Sequence, residues 1–294
     1  MNTRDAALAP MLPTAQAVAF QHIRNATIKV EYAGTTFLVD PMLAPQGGWP
    51  GFEGTVNSHL RNPLVELPLP LADVIRADAI IVTHLHMDHW DDAAKGAIPK
   101  DMPVFAQDEH DAASIRKDGF TDVRVLGEDS EFHGTRLTKT GGQHGTDEMM
   151  AMGLDKRLGD VSGIVFRRPG WQTTYIAGDT TWTAEVERAI TAYRPDVIIL
   201  NAGYARIPGL PGAIIMGKED LLRAARLAPA ARVVGIHMEA VNHASQTRAE
   251  LREFAAAHNI AERVLVPEDG EAFRFQASRY GSGDHPLPPS NPAK

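Results

Sequence analysis

The sequence predicts a mixed α/β (α+β) fold, on three observations. Short apolar, β-branched runs such as Ala79-Ile80-Ile81-Val82 and Val197-Ile198-Ile199-Leu200 have the length of buried strands rather than helices. Longer segments of mixed polarity alternate with them, as expected of helices: Glu109 to Lys117, Trp182 to Tyr193, Lys218 to Leu227 and Thr247 to His258. Four strand-like runs also end on a carboxylate or an imidazole, at Asp40, His84, Asp179 and His237. Rigid strands that stop at such residues place them along a loop edge, a usual location for chemistry.

In chain order, residues 1 to 18 read as a loosely held arm. Phe20 to Tyr32 is β-like, and Ala33-Gly34-Thr35 turns it into Thr36-Phe37-Leu38-Val39-Asp40, a hairpin ended by Pro41. Pro45 to Pro70 carries four glycines, five prolines, Trp49 and Phe52. A connection this long is uncommon inside a compact domain, and its aromatics point to a wall over a site. A helix near Leu71 to Arg76 leads into the strand Ala79 to Val82, and strands at Val104-Phe105 and Val123 to Leu126 flank the next long helix. Glu131 to Thr140 reads as one further strand, running into Gly141-Gly142-Gln143-His144-Gly145-Thr146. The methionine-rich stretch from Asp147 to Asp160 reads as a loop near the site. The second half repeats the grammar of the first, with strands at Ile164 to Phe166, Thr173 to Ile176, Val197 to Leu200, Arg232 to Ile236, Arg263 to Val266 and Ala272 to Phe275. Residues 277 to 294, rich in Gly, Pro and Ser, read as a disordered tail, which leaves 19 to 276 as one domain.

Composition narrows the function. At 44% hydrophobic and 22% charged, 294 residues can bury a core without covalent staples. A net charge of −8 argues against a nucleic-acid binder or a reader of anionic membranes. No apolar run reaches transmembrane length. The absence of cysteine rules out disulfides, thiolate zinc sites and cysteine nucleophiles. Arg4, the stretch from Ala6 to Leu12 and Ala15-Gln16-Ala17 faintly resemble a secretory signal, but Asp5, Pro10 and Pro13 interrupt it. A cytoplasmic protein acting on a small molecule is the expectation, with homo-oligomer formation left open.

The densest chemistry lies in Thr83-His84-Leu85-His86-Met87-Asp88-His89-Trp90-Asp91. Extended backbone points residues two apart the same way, so His84, His86 and Asp88 can converge, whereas a helix would scatter them. His89 joins them only if the chain turns, and Asp91 or Asp92 can then cap a short helix starting near Ala93. Neutral imidazole and carboxylate at this density are ligands for first-row metals. Glycines around His144 let the backbone approach a ligand closely. Asp88 can both coordinate a cation and accept or return a proton.

The set His84, His86, Asp88, His89, His144, Asp179 and His237 resembles the ligand set of metallo-β-lactamase-fold hydrolases, over roughly residues 20 to 276. The resemblance implies a four-layer αββα sandwich with the metal site at one edge of its two sheets. It implies two divalent metal ions, one held by His84, His86 and His144, the other by Asp88, His89 and His237, with Asp179 bridging. Zinc is the default, and manganese or iron suits the same donors. Asp40 matches an acidic residue that, in such proteins, orients a ligand histidine from behind. Two such cations sharing a water make it hydroxide near neutral pH, ready to attack an electrophile.

Further strings resemble bacterial isothiocyanate hydrolases: Gly178-Asp179-Thr180-Thr181-Trp182, Asn201-Ala202-Gly203-Tyr204-Ala205, Ile214-Ile215-Met216-Gly217, His237-Met238-Glu239-Ala240-Val241-Asn242-His243 and Val266-Pro267-Glu268-Asp269-Gly270-Glu271. That resemblance implies hydrolysis of an isothiocyanate to amine and carbonyl sulfide. A lactonase similar to the ascorbate-phosphate lactonases is the alternative enzyme, and a non-catalytic metal-binding or sensory module the alternative of another class. Trp49, Phe52 and His243 are the candidate substrate contacts.

Overall fold

The computed structural model describes residues 15–275. The expected tail lies outside that span, as do residues 1–14 of the expected arm. Of the rest of the arm, Gln16 bridges to Trp171 and Val18 is buried.

The first sheet contains β1 (Ala19–Arg24), β2 (Thr27–Tyr32), β3 (Thr35–Val39), β4 (Ala79–Val82), β5 (Val104–Ala106) and β6 (Val123–Val125). The second contains β7 (Ser130–Phe132), β8 (Thr135–Gly141), β9 (Ser162–Arg167), β10 (Thr174–Ile176), β11 (Val197–Asn201), β12 (Arg232–Ile236) and β13 (Val264–Leu265). β14 (Ala272–Arg274) returns to the edge of the first, beside β1. Each sheet is half antiparallel and half parallel: β14-β1-β2-β3 then β3-β4-β5-β6, and β7-β8-β9-β10 then β10-β11-β12-β13.

Both faces of both sheets are covered, which is why the central strands read as unbroken apolar runs. Along β4, Ala79 and Ile81 point between the sheets, into a core shared with Phe37, Phe166, Ile199 and Ile236. Ile80 and Val82 point outward against the helices α1 (Leu71–Val74), α2 (Asp92–Ala97) and α3 (Glu109–Lys117). The second sheet's outer face, with Ile198, Leu200 and Val233, is covered by α6 (Ala184–Tyr193), α7 (Lys218–Leu227) and α8 (Arg248–Ala257). The result is the αββα sandwich. Among the described residues, no helix is long and apolar enough to cross a membrane.

Three local expectations are corrected. Phe20 to Tyr32 is not one strand but a hairpin, turning at Asn25, whose φ is 57°. Glu131 to Thr140 likewise splits at His133-Gly134, where both φ values are positive. Asp147 to Asp160 holds two short helices, α4 (Asp147–Ala151) and α5 (Asp155–Leu158). The Thr146 hydroxyl caps α4 by accepting from the Met149 amide, and Met149 and Leu158 pack on Ile207, Ile214 and Ile215. Met149, with Met150 packed against the cluster, is therefore an apolar anchor of a small satellite core, whereas Met152 is exposed.

Candidate metal centre

The site is built at the ends of β3, β4, β10 and β12. Asp40 follows β3 in the left-handed region, with φ 47°. After β4 the chain bends at Thr83, then closes a turn in which the amides of His89 and Trp90 donate to the His86 carbonyl, both at 2.9 Å. That turn brings in His89, and Asp91 caps α2 by accepting from the Ala94 amide at 2.7 Å. Gly178, at φ 71°, delivers Asp179 from β10, because a Cβ at Gly178 would overlap the Ser162 carbonyl. His237 follows β12 at φ 66°, packed so closely on Gly203 that a Cβ there would overlap the His237 carbonyl.

All seven predicted donors come together, in two adjoining groups: His84, His86 and His144, and Asp88, His89, Asp179 and His237. Within each group the donor atoms lie within 4.8 Å of one another. Asp179 faces both. Its Oδ2 is 3.1 Å from His89 Nε2, 3.5 Å from His237 Nε2 and 3.7 Å from His144 Nε2.

The outward ring nitrogens explain which lone pairs face inward. Asp40 accepts from the Thr83 amide at 2.7 Å and from the Thr83 hydroxyl at 2.8 Å. That hydroxyl, having donated its proton, can only accept from His84 Nδ1, 3.2 Å away. Asp40 also accepts from His89 Nδ1 at 2.9 Å. One carboxylate thus orients an imidazole of each group, and His144 is oriented separately by donating from Nδ1 to the Ile214 carbonyl at 2.8 Å. Asn201 Nδ2, at the end of β11, donates to Asp179 Oδ1 at 2.6 Å and leaves Oδ2 for the site.

These contacts test whether the residues fit a cation. His84 Nε2 and His86 Nδ1 are 3.0 Å apart, and His89 Nε2 and His237 Nε2 are 3.2 Å apart. Facing imidazole nitrogens this close need a shared proton or a cation between them. In the first group burial disfavours the charged, doubly protonated ring: it pushes His84 and His86 below the ordinary imidazole range, and His144 to about 4 despite Asp179, which leaves neutral imidazoles with a lone pair each. In the second group burial works the same way on His89 and His237, but is overcome by Asp179 and Asp88, so both are raised. The first group offers neutral imidazole lone pairs and the second attracts positive charge. Both conditions are met by divalent metal ions on nitrogen and carboxylate donors.

Phe52 is half-buried, with its ring 4.7 Å from that of His243 in an edge arrangement. Trp49 is only 8% exposed and packs behind Phe52, among Met42, Ala240 and Val241, so it backs this wall rather than lining it. The loop from Pro45 to Pro70 is tied down by Asn242, whose side chain accepts from the Phe52 amide and from Asn62 Nδ2 and donates to Thr55 Oγ1 and the Val56 carbonyl. His84 and His86 also line a cavity of about 510 Å³, together with Gln107, His110 and Lys156.

Thr83, Asn201 and Asn25 were not singled out as site residues from the sequence. Thr83 and Asn201 sit in strings already quoted, directly before His84 and directly after β11, and the shared strand-end position was the available signal. Asn25 gave only a weak turn signal inside a β-like run.

Comparison with known proteins agrees with this geometry. A family model described as a β-lactamase superfamily domain matches residues 35–238, a span that holds all seven donors. The UPF0173 protein YddR of Bacillus subtilis is 44% identical over 254 residues, covering 86% of this chain and 98% of its own. A crystal structure of an isothiocyanate hydrolase from Delia radicum gut bacteria is 48% identical, with TM-score 0.85, covering 88% of this chain and 100% of that one. A possible metal-dependent hydrolase from Veillonella parvula is 46% identical, with TM-score 0.85, over 88% of this chain and 99% of that one. By the family match over residues 35–238 and the likeness of its paired seven-stranded sheets to these structures, the chain belongs to the β-lactamase superfamily and has the metallo-β-lactamase fold.

Proposed function

We propose that this chain is a binuclear metal-dependent hydrolase of small electrophilic substrates, and that isothiocyanates are its substrate class. The observation that carries the reading is the pair of donor groups meeting at Asp179, with seven buried or half-buried ligand side chains and no nucleophilic side chain among them. The 48% identity to a structure described as an isothiocyanate hydrolase supports the substrate class. His84, His86 and His144 would hold one cation and Asp88, His89 and His237 the other, with Asp179 between them; zinc fits this nitrogen and oxygen set. When bound, the metals supply Lewis acidity and lower the pKa of water.

The chain's own residues do the rest. Asp88, whose Oδ2 is 3.2 Å from His237 Nε2, is held ionised by His89 and His237 against the effect of burial. An ionised carboxylate there accepts the proton released as water adds to the central carbon of N=C=S. His243 is 6% exposed and its Nδ1 has no protein partner. Burial lowers its pKa to about 4, so it meets the substrate as a neutral ring able to bond a nitrogen or sulfur atom. Phe52 supplies the apolar surface beside it. Water addition gives a thiocarbamate, which splits into the amine and carbonyl sulfide.

The test is to incubate metal-loaded protein with aryl and alkyl isothiocyanates, a lactone panel and a phosphodiester. Amine release with carbonyl sulfide is the expected result. Acid release from the lactones alone would assign a lactonase, and metal binding without turnover of any substrate would assign a non-catalytic module.

A further inference from the structure

Hairpin tips usually face solvent. The β1–β2 turn does the opposite: Arg24 and Asn25 are both fully buried, and Asn25 reaches the metal centre. Its side-chain amide donates to the Asp88 carbonyl at 3.0 Å and lies 3.4 Å from His237 Nε2. Its own carbonyl accepts from the His237 backbone amide at 3.0 Å. One residue therefore touches the two segments, from opposite sheets, that bring Asp88 and His237 to the second donor group.

Behind Asn25 the contacts close into a ring. His22 sits between the same Asn25 carbonyl, 3.0 Å from its Nε2, and the Glu268-Asp269 segment, whose Glu268 carbonyl is 3.3 Å and Asp269 carboxylate 3.6 Å from its Nδ1. Asp269 accepts from Arg248, which is 6% exposed and also pairs with Glu239 through its side chain at 2.5 Å and its backbone amide at 3.0 Å. Glu239 is two residues beyond His237, which completes the circuit. His237 and Glu239 both stand at positive φ, 66° and 61°. Such conformations are strained and persist only where the surroundings over-determine them. Glu239 and Asp269, which take no part in the chemistry, find a role in this ring.

We propose that Asn25 is a positioning residue for the second metal: it fixes Asp88 and His237 relative to each other, with the ring from His22 to Glu239 as its anchor. No contact is made from Asn25 to His84, His86 or His144 among the hydrogen bonds of the described residues, so the first site should not depend on it. The proposal rests on the binuclear reading above. Two variants tolerate the positive φ: Asn25→Gly, which deletes the amide, and Asn25→Asp, which sets an acceptor against the Asp88 carbonyl. The measurement is stepwise zinc titration of metal-free wild type and variants against a competing chelator. In both variants the second equivalent should bind about 10–100-fold more weakly, the scale of lost support behind a ligand, with the first unchanged. Equal weakening of both steps, or two unaltered steps, would overturn the role of Asn25 while leaving the binuclear reading intact. A wild type that takes up only one equivalent would overturn both.

Discussion

The two sheets are built to the same plan and use it differently. In each, the last antiparallel strand ends on an aspartate, Asp40 after β3 and Asp179 after β10, and the next strand, parallel to it, supplies the group that holds that aspartate. In the first sheet the holder is Thr83, in the second Asn201. Asp40 spends its carboxylate on the back of His89 directly and on that of His84 through Thr83, whereas Asp179 turns one oxygen into the site. The first sheet then supplies four donors from one turn, His84 to His89, and the second supplies single donors from separate strand ends and the turn at His144. Equivalent positions in a fold thus take opposite roles, one orienting ligands and one facing the cations, and the side chain behind each aspartate decides which.

The comparison can be broken most directly at the aspartates. Asp179→Asn removes the charge shared by both donor groups, and activity should fall on the order of 10³-fold, the scale of losing a preorganised electrostatic partner. At least one metal equivalent should be lost with it. Asp40→Asn should cost only about 10–100-fold in metal affinity. Metal analysis and kinetics on both variants decide the matter, and a more damaging change at Asp40 would invert the assignment of roles.

Asp88→Asn sharpens the first sheet's part. It keeps the shape but removes the basicity, so kcat should drop on the order of 10²-fold or more. Elemental analysis of the same preparation must show both metals retained. Near-normal kcat with both metals bound would dismiss Asp88 as proton acceptor.

A smaller effect is expected at the wall over the site. Phe52→Ala should raise KM severalfold for bulky isothiocyanates and leave kcat and metal content in place, because among the described residues the ring's aromatic contacts are to His243 and Trp49 and to none of the seven donors. Unchanged kinetics across substrates of different size would remove the wall from the pocket.

The smallest effect concerns pH. His243 in the folded chain has its pKa lowered to about 4, against about 6.5 unfolded. Below pH 6.5 the unfolded chain takes up a proton that the folded chain refuses, so stability falls as pH drops from about 6.5 towards 4. His243→Gln deletes that contribution. Denaturation midpoints of metal-free wild type and variant should diverge between pH 7 and pH 5, with the variant losing less. Parallel losses would show that the ring is solvated in the folded state.

What the sequence by itself determined is local and chemical. Unbroken apolar runs gave β4, β11 and β12 because both faces of those strands are buried, and period alone records that. The donors were legible because their spacing after a strand and their chemistry admit few other uses. The turns at Asn25 and His133-Gly134 were not legible, since a tight two-residue hairpin leaves little polar interruption in a β-like run. Nor were the helices at Asp147 and Asp155, whose apolar partners Ile207, Ile214 and Ile215 come from a distant stretch of chain. Only the tertiary structure decided that Asp40 serves two histidines, that Trp49 stands behind Phe52, and that a hairpin tip reaches Asp88 and His237. Each depends on which side chains from separate sheets face one another across the sandwich. Pattern along a chain reports burial and element type, but the partner of a polar group is fixed by packing, where residues more than 200 positions apart, such as His237 and Asn25, share a hydrogen bond from backbone amide to carbonyl.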